Sequence, residues 1–205
     1  MISIVKKSLC KIKAIFYKEK DKYQDEVTYD QKRQIIDTYK QKFELNIFVE
    51  TGTFLGDTIF YFKNKFEELY SIELSEDLAN RAKQRFINDK NITIIQGDSA
   101  NVLSSLLQSL NERALFWLDG HYSSEFYYNG EYIITAKSDK NTPIEQELDI
   151  LLSSEFTDII LIDDARLFIG VHDYPTIEAI KGKVKTSGKN YSVFIDTDII
   201  HIVPL

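Results

Sequence analysis

The stretch Asn46-Ile-Phe-Val-Glu50-Thr-Gly52-Thr-Phe-Leu-Gly56-Asp57-Thr58 constrains the chain more than any other. Ile47, Phe48 and Val49 form a short apolar run of β-branched and aromatic residues closed by glycine. That is the pattern of a buried parallel strand. Beyond Gly56 the period changes: Ile59, Phe60, Phe62 and Phe66 fall near helical spacing, which predicts a helix over about 57–66. A strand feeding a helix through a glycine turn aims unpaired backbone N–H groups and a positive dipole end at whatever binds there. Gly52 and Gly56 can take positive φ and admit a ligand close to the backbone.

The remaining pattern repeats this unit. Strands are predicted at about 46–50, 69–73, 92–96, 114–119 and 158–163. Helices alternate with them. Ser75 caps one helix, with Glu76 and Asp77 in its first turn, and Asp98 or Ser99 caps the next. Thr142-Pro-Ile-Glu145 reads as a capping box with proline at the first helical position. Pro175 opens a further helix, and residues 191–203 read as a hairpin turning near Asp196-Thr197-Asp198. Between strand four and the Thr142 helix, residues 120–141 read as a long loop carrying Tyr122, Phe126, Tyr127, Tyr128 and Tyr132. A loop of that length in a compact domain is functional or mobile, and this one is expected to close over a ligand. The alternation predicts an α/β fold: a doubly wound, mostly parallel sheet with helices on both faces and one antiparallel strand from the terminal hairpin.

Length and composition narrow the class. The 205 residues suit one domain, placed at 45–205, preceded by a helical extension over 1–44 that includes a helix at 28–41. A net charge of −7 argues against general nucleic-acid binding. A single cysteine, Cys10, excludes an intrachain disulfide and any multi-cysteine zinc site. No apolar run reaches the ~18–20 residues of a membrane span, and lysines interrupt any signal-like segment at the N-terminus. The expected location is therefore cytoplasmic. Residues 1–22 hold seven lysines against Glu19 and Asp21, a balance of +5 that leaves −12 for the rest. Ile2, Val5, Leu9, Ile12 and Phe16 give this segment an amphipathic helical spacing. It could touch an anionic membrane surface, or pack on the domain or on a second copy in a homodimer. The packed arrangement is preferred here.

Glu73 lies at the end of strand two, where an acidic residue commonly accepts from both ribose hydroxyls of a nucleoside cofactor. Glu50, Asp98, Asp119, Asp163 and Asp164 also stand at strand ends. Strands four and five are expected as neighbours, so Asp119, Asp163 and Asp164 would crowd three carboxylates on one rim. Their repulsion favours raised pKa values or a bound cation, and oxygen-only ligands suit Mg²⁺. His121 could act as a general base, as a further ligand, or stand solvated.

Glu50-Thr-Gly-Thr-x-x-Gly56, Glu73 and Gly97-Asp98-Ser99 resemble the first three cofactor motifs of class I S-adenosylmethionine-dependent methyltransferases, over about residues 45–205. The resemblance implies a Rossmann-like seven-stranded sheet of order 3-2-1-4-5-7-6. It also implies S-adenosylmethionine held by Glu50, Gly52, Thr53, Gly56, Thr58, Glu73, Leu74, Asp98, Ser99 and Asp119. The acidic trio resembles the metal site of catechol-type and sugar O-methyltransferases, which implies Asp119, Asp163 and Asp164 as Mg²⁺ ligands; Asp119 and, from its place two residues later, His121 are the expected catalytic groups. The pattern departs at Tyr122, where catechol-type enzymes carry lysine. The expected activity is O-methylation of a small hydroxylated acceptor such as a sugar, a glycan precursor or a natural product. The competing readings are a non-catalytic methyltransferase-like interaction protein and an NAD-type oxidoreductase. The missing G-x-G-x-x-G disfavours the oxidoreductase.

Overall fold

The computed structural model describes residues 27–122, 124–138 and 140–205. The amphipathic segment 1–22 lies outside the described residues. Helix α1 spans Tyr29–Phe43 and starts in a full capping box, in which Thr28 accepts from the Gln31 backbone and the Gln31 side chain accepts from the Thr28 backbone. Strand β1, Ile47–Thr51, is buried along its whole length, as a central parallel strand must be. Then follow α2 (Asp57–Phe62), β2 (Glu68–Glu73), α3 (Glu76–Arg85), β3 (Ile92–Gln96), α4 (Ser99–Ser109) and β4 (Ala114–Leu118). Ser75 and Asp98 cap α3 and α4 as the sequence indicates.

The chain then forms a small antiparallel pair, β5 (Glu125–Tyr128) and β6 (Glu131–Ile134), before α5 (Ile144–Ser153) and β7 (Ile159–Ile162). A 3₁₀ turn at Ala165–Leu167, helix α6 (Ile177–Thr186) and the hairpin β8 (Tyr191–Asp196) and β9 (Ile199–Pro204) complete it. The main sheet has seven strands in the order β3-β2-β1-β4-β7-β9-β8. With the small hairpin set aside, this is the order implied by the resemblance. β1 to β4 and β7 run parallel, and β9 is antiparallel to both β7 and β8.

Each face of the sheet carries its own core. Alternate residues of the central strands supply the two sides. Ile47, Val49, Phe116 and Ile160 pack with Leu103, Leu148 and Ile180 of α4, α5 and α6. Phe48, Leu115, Trp117 and Leu161 pack with Ile36 of α1 and with Ile59 and Phe62 of α2. α1 is further pinned where the Tyr39 hydroxyl meets His201 Nδ1 of β9 at 2.8 Å.

Three local expectations are corrected. Residues 120–141 are not one loop but hold the β5–β6 hairpin, which turns through Asn129 and Gly130 at φ 51° and 83°. The Thr142 capping box does not form. Helix α5 begins one residue later with Pro143 at its N-cap, while Glu145 turns toward Lys140 at 3.8 Å. Likewise Thr176, not Pro175, starts α6, its hydroxyl accepting from the Ala179 backbone N–H.

Phe48 is fully buried, its ring 5.3 Å from that of Phe62 and 5.2 Å from that of Phe66. Phe48→Ala should cost about 3–5 kcal/mol of stability, read from urea unfolding. A loss below about 1 kcal/mol would show that this side of the sheet is not a packed core.

Candidate functional site

The strand order reverses between β1 and β4, and ligands of open α/β sheets bind beyond the carboxyl ends at that switch. The register here continues past the last strand residues. Gly97 N–H donates to Glu73 O, Gly52 N–H to Ile72 O, Asp119 N–H to Thr51 O, and Asp163 N–H to Leu118 O, all at 2.9–3.1 Å. The turns that follow four strands are thereby set side by side along one rim. Above them lies a cavity of about 380 Å³, a size that suits a small ligand.

Gly52, Glu73, Leu74, Asp98 and Ser99 line one half of this cavity. Gly52 has φ 89°, and a Cβ there would stand 2.5 Å from the carbonyl oxygen of Asp119. Only glycine lets the turn lie against the end of β4. Glu73 is 7% exposed, and its two oxygens accept from the backbone N–H groups of Phe54 and Ser75 at 2.9 and 2.8 Å. Burial raises its pKa against the pull of those bonds. The carboxylate is fixed in direction by these bonds and borders the cavity. Asp98 caps α4 through the Ala100 N–H, and its other oxygen accepts from the Ser138 hydroxyl at 2.7 Å.

The β5–β6 hairpin roofs this half. Phe54, in left-handed backbone at φ 49°, sets its ring 5.8 Å from Phe126 and 5.3 Å from Tyr128. Glu131 is gripped by both terminal nitrogens of Arg81 on α3, at 2.9 and 2.8 Å.

Four residues expected at the cofactor do not line the cavity: Glu50, Thr53, Gly56 and Thr58. They lie beneath or behind the turn and build it. The Ser71 hydroxyl donates to Glu50 at 2.7 Å and stands 2.6 Å from the Thr53 hydroxyl. Thr58 also hydrogen-bonds Glu50. Gly56, at φ 78°, starts α2 where a Cβ would strike the Phe86 ring. Burial pushes the Glu50 carboxyl up to about 8, with the Ser71 bond opposing it. Glu147 of α5 is a second carboxyl under the floor. Burial pushes it up to about 7, and it accepts from the Ser99 hydroxyl at 2.6 Å.

Asp119, His121, Asp163 and Asp164 line the other half, together with Tyr29 and Lys32 of α1 and Arg166. His121 Nδ1 lies 3.3 Å from Asp119 and Nε2 lies 3.6 Å from Asp164. Burial would lower its pKa. The hydrogen bond to Asp119 and the surrounding carboxylates outweigh that and raise it. The counter-charge expected from Mg²⁺ is supplied by the chain itself. Lys32 Nζ bonds Asp163 and lies 3.9 Å from Asp164. Arg166 bonds Asp164 at 2.8 Å and also Asp198. Among the described residues, no three His, Cys, Asp or Glu side chains gather as metal ligands. As the side chains stand, the acidic rim does not fit a divalent ion: Lys32 and Arg166 pair Asp163 and Asp164, and His121 lies against Asp119.

Lys32, Arg166, Phe54 and Glu147 were not singled out as site residues from sequence. Phe54 sits inside the glycine motif, and Glu147 two residues beyond the Thr142-Pro-Ile-Glu145 segment. Asn129-Gly130 between aromatic residues was the available signal for the roof. Nothing local marks Lys32, which meets Asp163 across 131 positions of sequence.

No family model and no curated protein matches the sequence. Solved structures do. An O-methyltransferase from Bacillus cereus in complex with S-adenosylhomocysteine is 12% identical at a TM-score of 0.56, covering 93% of this chain and 89% of that one. The O-methyltransferase TomG from Streptomyces achromogenes, in complex with S-adenosylmethionine and involved in tomaymycin synthesis, is 12% identical at 0.55, covering 91% and 85%. The S-adenosylhomocysteine-bound methyltransferase PaMTH1 of Podospora anserina is 12% identical at 0.53, covering 91% and 84%. The chain has the Rossmann-like fold of class I S-adenosylmethionine-dependent methyltransferases.

The buried acids fix a pH dependence. A carboxyl whose folded pKa lies above its unfolded value keeps a proton that the unfolded chain releases, so stability falls as pH rises between the two. For Glu50 that window runs from the ordinary carboxylate range up to about 8. Glu147 acts in the same direction up to about 7. Urea midpoints should therefore fall from pH 5 to pH 8. Glu50→Gln, which keeps the neutral form, should fall less steeply. Wild-type stability that is flat or rising over this range would contradict the assignment.

Proposed function

We propose that this protein is an S-adenosylmethionine-dependent methyltransferase acting on a hydroxyl of a small acceptor such as a sugar, a glycan precursor or a natural product. The observation that carries the reading is the set of carboxylates from Glu73, Asp98 and Asp119 at the ends of β2, β3 and β4, all facing the cavity beside the Gly52 turn. Five carboxylates line the cavity against Lys32, Lys140 and Arg166, with His121 between the two sets. That excess of negative charge suits a cofactor with a cationic sulfur and repels a pyrophosphate. It therefore supports this reading over an NAD-type oxidoreductase. A non-catalytic interaction protein would have little use for a carboxylate aimed into a cavity by two backbone N–H groups, since burying it is costly.

Glu73 would hold the ribose hydroxyls, Asp98, Ser99 and Leu74 the base, and the Gly52 turn the amino-acid end. Bound there, S-adenosylmethionine supplies a methyl group on a positively charged sulfur. The chain's work is to bring an acceptor oxygen to it and remove a proton. We assign that removal to His121: with Asp119 3.3 Å from Nδ1, Nε2 would be the base, and Asp164, 3.6 Å from Nε2, would stabilise the imidazolium. The aromatic roof, Phe126 and Tyr128, would shield the site from water and wall it against the cofactor.

Glu73→Ala should weaken S-adenosylhomocysteine binding, measured by isothermal titration, by roughly tenfold to a hundredfold. That corresponds to losing charge-assisted bonds of about 1.5–3 kcal/mol. Circular dichroism should show the sheet retained. Unchanged affinity would remove Glu73 from the site, and binding of NAD in place of S-adenosylhomocysteine would overturn the methyltransferase reading.

A further inference from the structure

The half of the cavity lined by Asp119, Asp163 and Asp164 brings three carboxylates to adjacent strand ends, where their repulsion calls for a proton or a counter-charge. We infer that Lys32 is the resident cation of this rim: carried in on α1, its ammonium takes the place of a metal ion between Asp163 and Asp164 and is a positioning residue for both. The inference rests on the methyltransferase reading for its purpose, but on geometry alone for its substance.

Asp163 is the most enclosed of the three, its side chain 2% exposed, and Lys32 Nζ bonds it directly. The same nitrogen lies 3.9 Å from Asp164. The Lys32 side chain is 19% exposed and faces the cavity, so its ammonium is enclosed with the carboxylates yet borders the ligand space. A flexible surface lysine would not hold such a position, but this one is delivered by a fixed helix. The Thr28–Gln31 box locks the start of α1, Ile36 is buried in the core, and Tyr39 is bonded to His201. Arg166 pairs with the same Asp164 oxygen and reaches Asp198, while Lys32 is the cation bonded to Asp163. An ammonium offers three donors, and Asp163 takes one of them. It neutralises the rim, as a metal would, without requiring octahedral ligands.

The test is a displacement experiment on the full chain, with Mn²⁺ as the probe. Mn²⁺ binding is followed by electron paramagnetic resonance, and thermal unfolding is recorded in parallel for wild type, Lys32→Met and Lys32→Arg. The inference predicts that Mn²⁺ neither binds wild type specifically nor shifts its Tm. Lys32→Met should lower Tm, gain at least tenfold in Mn²⁺ affinity, and recover Tm when Mn²⁺ is added. Lys32→Arg should behave as wild type. Specific Mn²⁺ binding to wild type as tight as to Lys32→Met would overturn the inference, because Lys32 would not be filling the place. Absence of Mn²⁺ binding to both proteins would overturn it too, because the carboxylates would not form a cation's place at all. Titrating the same samples with S-adenosylhomocysteine separates the two readings. Wild type that fails to bind it refutes the methyltransferase assignment and leaves the Mn²⁺ result to decide Lys32.

Discussion

The hydrogen-bond ladder of the parallel strands does not stop where the strands do, and the site depends on that. Gly97, Gly52, Asp119 and Asp163 each donate their N–H to the carbonyl of a neighbouring strand end. Four turns are thereby held in register along one rim, and acidic side chains from separate parts of the sequence face a single space. Gly52 shows how tight the arrangement is, since one added carbon would meet the Asp119 carbonyl. A flexible loop could carry the same residues but could not hold their directions.

Aligning so many acids has an electrostatic cost, and the structure meets it in three ways. Glu50 and Glu147, beneath the floor, are pushed by burial toward the neutral form and satisfied by hydroxyl donors from Ser71 and Ser99. Asp163 and Asp164 are paired with Lys32 and Arg166. Glu73 is held by backbone N–H groups, and Asp98 by a backbone N–H and the Ser138 hydroxyl, so the net negative field remains for a ligand. A cationic cofactor sulfur would complete the balance. The half around Glu73 and Asp98 and the half around Asp163 and Asp164 differ in this respect. One leaves its charge open to the cavity, and the other closes it with side chains.

Much of this was legible in the sequence where the signal is local. The β1 run, the Ser75 and Asp98 caps and the terminal turn at 196–198 sit where the pattern puts them, and of the acids at the strand ends Glu73, Asp98, Asp119, Asp163 and Asp164 line the cavity. Glu50 was harder. Its position in the glycine motif implied a cofactor contact, but its side chain points under the turn to Ser71, a direction that spacing does not record. The roof hairpin was hidden in an aromatic loop despite Asn129-Gly130, because its strands have four residues each and little burial. The Thr142 box does not form: Pro143 takes the N-cap and the Thr142 hydroxyl accepts from the Ile144 N–H instead, a choice between neighbours that the motif cannot express. Lys32 was beyond local reading altogether, since only the crossing of α1 over the sheet brings it to Asp163.

The most direct measurement is a crystal structure of the protein soaked with S-adenosylhomocysteine. The ribose is expected on Glu73, the base beside Asp98 and Ser99, and the sulfur toward Asp119 and His121, under the Phe126–Tyr128 roof. Density for the ligand elsewhere, or an empty cleft at a saturating concentration, would contradict it.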